Sequence, residues 1–186
     1  QACKDSQRFV EAGFDDISLS INLSTKQLKS KGIVDEIKEK LHRYNIDAHR
    51  FHLEITESSL LEDAETTLEH LTALTKQGFR IAIDDFGTGY SSLSYLKTLP
   101  ISTVKIDRSF VIGIPHNPRD TAVVKAIIDM VFGLGFAVIA EGADKKEQVD
   151  YLHRNNCSVI QGFYYSRPLT LQQMLGFAKD NANTSE

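Results

Sequence analysis

The sequence predicts an α/β chain folded as a TIM-like (β/α)8 barrel, here lacking about two N-terminal strands. Three observations carry that prediction. Strand and helix patterns alternate from end to end, which implies parallel strands with helices outside. Six short apolar runs each finish on a polar residue able to bind metal or substrate: Ser18–Asn22, Phe51–Glu54, Arg80–Asp85, Val104–Asp107, Ala137–Glu141 and Val159–Gln161. An open doubly wound sheet would confine function to one switch point, whereas a barrel uses the ends of many strands at once. Finally, 186 residues fall short of the about 250 of a whole barrel.

The elements follow in order. Residues 1–12 are helical and stop at Gly13. A strand is expected over 16–22. Ile33, Ile37, Leu41 and Tyr44 form a helical stripe, and Phe51–Ile55 is the next strand. Asp63 opens a helix with Leu68, Leu71 and Leu74 on one side, closed by Gly78. A strand at 79–84, a Gly/Ser loop and a short helix near 92–97 precede Pro100. A strand at 102–107 leads into a long helix at about 118–132, apolar at Val123, Val124, Ile127, Ile128 and Val131. A strand (136–140), a helix (145–154) and a short strand (158–161) follow. Thr170-Leu171-Gln172-Gln173 is a capping box opening the last helix, and Asn181–Glu186 is expected to fray.

No low-complexity linker interrupts this pattern, so residues 1–186 read as one domain, the C-terminal three-quarters of a barrel. Gln1 lies inside a helical pattern, which reads as a fragment. The chain is 41% hydrophobic and 25% charged, enough to bury a core. A net charge of −4 argues against DNA or RNA duplex binding, which needs a basic face. No run approaches a membrane span, so no membrane contact is expected of this segment. Cys3 and Cys157 share no ligand spacing, and a reducing, cytoplasmic setting is the default.

The densest motif is Asp84-Asp85-Phe86-Gly87-Thr88-Gly89-Tyr90-Ser91-Ser92. Adjacent carboxylates at a strand end repel unless a cation lies between them or one is protonated. Asp85 taken alone would merely cap a turn; the other five strand ends shift the balance toward a metal. Asn22, Glu54 and Asp84 would complete an all-oxygen set suited to Mg²⁺ or Mn²⁺ and poor for zinc. Ser24-Thr25-Lys26-Gln27 is either a capping box or a substrate contact, with equal weight. Glu57 lies beyond its strand end, which favours holding the glycine loop over ligating metal. Lys105 and Asp107 are two apart, on one side of a strand. Either they form a structural ion pair, or Lys105 orients a metal-bound water or steadies a phosphate oxygen. Glu141-Gly142 leaves room above the acid, and Gln161-Gly162 repeats the arrangement with an amide suited to base or ribose recognition. Asp85-Phe86-Gly87 lacks the partner motifs of a kinase, and Gly87-Thr88-Gly89 lacks the third glycine of a dinucleotide loop. The histidines match no strand end.

Taken together, these motifs resemble the EAL domain family of bacterial cyclic di-GMP phosphodiesterases. The resemblance rests on Asn22-Leu23-Ser24, Glu54-Ile55-Thr56-Glu57, Asp84–Ser92, Lys105-Ile106-Asp107, Ala140-Glu141-Gly142 and Gln161-Gly162-Phe163 with Pro168 after it. It implies a TIM-like barrel and hydrolysis of cyclic di-GMP to linear pGpG with Mg²⁺ or Mn²⁺ at a two-metal site. By the same resemblance, Asn22, Glu54, Asp84, Asp85 and Glu141 form the metal shell, with Asp84 bridging. Lys105 orients the attacking water, Glu141 has general-base character, and Glu57 braces the Asp85–Ser92 loop, through which a homodimer is expected. Gln27, Asp107 and Gln161 lie near the nucleotide, as does Asp144, which stands where the family usually has Glu. The Glu-Ala-Leu segment that names the family is absent from the chain, so the fragment alone is expected to be inactive. The alternative of a different class is a non-catalytic cyclic di-GMP receptor. Such receptors are expected to lose shell acids, and none is lost at the positions visible here.

Overall fold

The computed structural model describes residues 1–60, 63–89 and 96–182. Among the described residues, six parallel strands form one curled sheet in chain order: β1 (Leu19–Asn22), β2 (Phe51–Thr56), β3 (Arg80–Phe86), β4 (Thr103–Ile106), β5 (Ala137–Glu141) and β6 (Val159–Gln161). The intervening helices are α1 (Ala2–Glu11), α2 (Thr25–Leu28), α3 (Ile33–Tyr44), α4 (Ala64–Lys76), α5 (Arg108–Val111), α6 (Pro118–Gly133), α7 (Lys146–Arg154) and α8 (Leu171–Ala182). The expected alternation and parallel order are thus present. No helix among the described residues is long and apolar enough to cross a membrane.

The register sorts the sheet into two chemically distinct faces. Side chains alternate along each strand, and neighbours in register share a face. Ile21 pairs with Leu53, Leu53 with Ile81, Ile83 with Val104 and Val104 with Val138. That face is apolar throughout and packs under the helices. From the helix side, Leu71, Leu74, Val124, Ile128 and Val131 join the same core, all fully buried. Burial of each such side chain contributes about 1.5–3 kcal/mol. The opposite, concave face carries Asn22 beside Glu54, Glu54 beside Ala82, Lys105 beside Ile139, and Glu141 beside Gln161. Sequence alternation therefore puts the polar strand ends together on the inside.

Local signals explain the helix boundaries. Asn117 accepts hydrogen bonds from the Arg119 and Asp120 amides, and Pro118 occupies the first turn of α6, where its missing N–H is not needed. Val124, Ile127, Ile128 and Val131 then recur at helical spacing on the buried side. Ser24 and Gln27 form the capping box of α2, and Thr170 and Gln173 that of α8. Some boundaries differ from expectation. β1 begins at Leu19 rather than residue 16. β3 runs on to Phe86, so Asp84 and Asp85 lie within it. β4 ends at Ile106, and Asp107 caps α5 instead. Asp63 stands at the start of α4 but has a left-handed backbone and makes no side-chain cap. The short helix expected near 92–97 and the end of the frayed tail fall mostly outside the described residues.

Candidate active site

A β-bulge brings the two adjacent carboxylates to one side. Strict alternation would place Asp84 inside and Asp85 on the apolar outer face. Instead, the β3–β4 register shifts: Ile83 pairs with Val104, but Phe86 pairs with Ile106. Three residues of β3 thus match two of β4, the signature of one inserted residue. Asp85 takes a left-handed backbone with φ of 53°, a conformation that Asp tolerates better than most residues. Phe86 returns to the buried outer face, and Asp85 stays at the rim. One carboxylate oxygen from each of Asp84, Asp85 and Glu141 lies within 4.8 Å of the others.

Lys105 is the centre of charge. Only 3% of it is exposed. Its ammonium lies 2.6 Å from Glu141, 2.8 Å from Glu54 and 3.1 Å from Asp84. Burial alone would push the lysine down, but hydrogen bonds to Glu141 and Glu54, reinforced by their charges, hold it above the usual lysine range. Burial pushes the Glu141 carboxyl up; Lys105 opposes this, and the charges of Asp84 and Glu54 add to it. Burial, Asp84 and Asp107 push Asp85 up as well. Three carboxylates thus contact one ammonium, and Asp85 lies beside two of them. The residual negative charge and the all-oxygen donor set suit a hard divalent cation, so the residues present fit a metal.

Glu57 is 3% exposed and faces the glycine loop. Its Oε2 accepts the Gly87 N–H at 2.9 Å and the Gly89 N–H at 3.2 Å. That is the geometry of a loop brace. Residues 90–95, which include the rest of the loop expected to form a dimer, lie outside the described residues.

The remaining candidates divide by location. Asn22 ends β1 in register with Glu54. Gln27 uses its side-chain carbonyl in the capping box with Ser24. The Ser24 segment is therefore a helix start in this structure. Asp107 accepts the Ser109 N–H at 3.0 Å and also the Ser109 hydroxyl, while Lys105 turns to the three carboxylates. Gln161 ends β6 beside Glu141 and lines a cavity of about 530 Å³ with Gly142, Asp144, Arg108, Phe163 and Arg167. The Arg167 guanidinium lies over the Phe163 ring, 4.9 Å from its centroid. Sequence reasoning missed Arg108 and Arg167. Arg108 follows the singled-out Asp107 and Arg167 precedes Pro168, but neither is itself the polar end of a strand run.

A family model described as EAL domain matches residues 1–168. The bifunctional diguanylate cyclase/cyclic di-GMP phosphodiesterase MucR of Pseudomonas aeruginosa is 39% identical over 175 residues, covering 94% of this chain and 26% of MucR. The chain spans about a quarter of the length of the curated relatives it matches. Among solved structures, the PaMucR phosphodiesterase in its c-di-GMP complex matches with a TM-score of 0.89 at 39% identity, covering 93% of this chain and 70% of that one. Klebsiella pneumoniae BlrP1 in its manganese/cy-diGMP complex matches with a TM-score of 0.80 at 27% identity, covering 90% and 43%.

Proposed function

This chain belongs to the EAL domain family, and from that premise we propose that the protein carrying it hydrolyses cyclic di-GMP to linear pGpG with Mg²⁺ or Mn²⁺. The observation that carries the reading is the buried Lys105 held by Glu54, Asp84 and Glu141, with Asp85 bulged onto the same rim. A purely structural lysine would be matched by one carboxylate. Here three acids contact it, and one of them, Glu141, also lines the cavity beside Gln161.

Asn22, Glu54, Asp84, Asp85 and Glu141 would hold the metal. A bound divalent ion there would neutralise phosphate charge and lower the pKa of water. Lys105, whose three N–H groups meet Glu54, Asp84 and Glu141 in this structure, would turn one of them to the attacking water and hold it in line with phosphorus. Glu141 would accept that water's proton. Glu57 would keep the Gly87 and Gly89 amides in place and so fix Asp85. Gln161 would face the nucleotide from the cavity beside Glu141, with Gln27 and Asp107 on its flanks. Homodimerisation through the Asp85–Ser92 loop belongs to the same proposal.

The test is Asp84→Asn in the intact protein, assayed as pGpG release at saturating Mn²⁺. Loss of a carboxylate that would hold the metal is expected to remove about two or more decades of rate. Full hydrolysis by this variant would contradict the assignment.

A further inference from the structure

We propose that Arg108 is a positioning residue, a latch that holds Asp144 and locks the loop after β5 against the start of α5 and the loop after β6. Asp144 then serves the loop rather than the nucleotide. The inference rests on the phosphodiesterase reading only for its effect on turnover.

The geometry is reciprocal. The Arg108 guanidinium donates to Asp144 Oδ2 at 2.9 Å, and Asp144 Oδ1 accepts the Phe163 N–H at 3.1 Å. The two oxygens of one carboxylate are thus taken by the segment after β4 and the segment after β6. A backbone bond from the Tyr164 N–H to the Ala143 carbonyl, 3.2 Å long, runs alongside. A side chain one methylene longer would not sit in the same position between these partners.

Two glycines make the close approach possible. A Cβ at Gly142 would lie 2.2 Å from Arg108 Cγ, so the arginine stem crosses the chain directly after Glu141. A Cβ at Gly162 would lie 2.0 Å from the Ala143 carbonyl oxygen. Glu141 and Gln161, the two rim residues of these strands, therefore each adjoin a glycine clamped in the latch. Misplacement of a reacting group by about 1 Å can cost about a hundredfold in rate. Arg108 is half-exposed, and its ion pair is correspondingly screened. A loss of about tenfold in kcat/KM is the expected scale for one charge-assisted contact.

The experiment uses Arg108→Ala, Asp144→Ala, their double variant and Arg108→Lys in the intact protein. Turnover is measured as pGpG formation with Mn²⁺. Hydrogen exchange of the Phe163 amide is measured without nucleotide. The latch predicts that each alanine variant loses about tenfold, that the double variant loses no more than either single, and that Arg108→Lys recovers most of the loss. Phe163 exchange should quicken in Arg108→Ala, although the hydrogen bond of Arg108 ends at Asp144. Multiplying losses in the double variant would overturn the proposal, as would an unchanged Phe163 amide in Arg108→Ala. If the wild type forms no pGpG, the substrate reading fails, and Phe163 exchange alone then decides for or against the latch.

Discussion

Replacing Lys105 with methionine tests the charge balance of the rim. The substitution keeps an unbranched stem of similar length and removes the ammonium. Three carboxylates at 2.6, 2.8 and 3.1 Å lose their common partner. Breaking a buried ion pair by removing one partner costs about 3–5 kcal/mol. Glu54 is nearly buried, while Asp84 and Glu141 keep some access to solvent at the rim, so a loss near about 3 kcal/mol is expected in metal-free buffer. A divalent ion should offset much of it, because the variant presents one more net negative charge to the cation. Ligand at a hundred times its Kd stabilises a folded state by about 2.7 kcal/mol. Urea unfolding in chelator and in Mn²⁺ reads both effects. Equal stability of variant and wild type in chelator would refute the argument. So would Mn²⁺ stabilising the wild type more than the variant.

Three further outcomes follow from the same geometry. Glu57→Ala should lower turnover while reducing Mn²⁺ affinity less than Glu54→Ala does, since Glu57 binds the Gly87 and Gly89 amides; equal losses of affinity in metal titrations would make Glu57 a ligand. Burial raises the Glu141 and Asp85 carboxyls, so the folded state holds those protons more tightly than the unfolded chain. Their stabilisation is full below the ordinary carboxyl range and is lost as pH rises through the raised values. Metal-free denaturation midpoints should therefore fall from about pH 4 toward neutrality by a smaller amount in Asp85→Asn than in wild type, and an identical fall would remove Asp85 from the account. Burial pushes the Cys157 thiol up to about 11, so iodoacetamide at mildly alkaline pH should label the half-buried Cys3 well before Cys157; mass spectrometry showing Cys157 labelled first would contradict the packing of β6.

Most of the fold was legible because strands and helices here obey their own periods. The apolar runs around Ile81, Val104 and Val138 face the helices, and polar ends such as Glu54, Lys105 and Glu141 meet inside. What alternation could not show was the bulge. Read by period alone, Asp84 and Asp85 point to opposite faces, and only the three-against-two register between Ile83 and Phe86 explains how both reach the rim. Capping was legible at Ser24, where the box of side chains is local. It misled at Asp63, where a left-handed backbone overrides the preference. Lys105 offered two readings because its partners come from three other strands, far away in sequence. Arg108 gave no signal as an arginine in the first turn of a short helix; its meaning depends on Gly142 and Asp144, more than thirty residues away.

The central claim is that this rim gathers divalent ions for phosphodiester hydrolysis. The most direct measurement is conversion of cyclic di-GMP by the intact protein, followed chromatographically after chelation and again after Mn²⁺ is restored. No product should form in chelator, and linear pGpG should be the product once Mn²⁺ is returned. Intact cyclic di-GMP in the presence of bound Mn²⁺, or equal conversion in chelator, would contradict that claim.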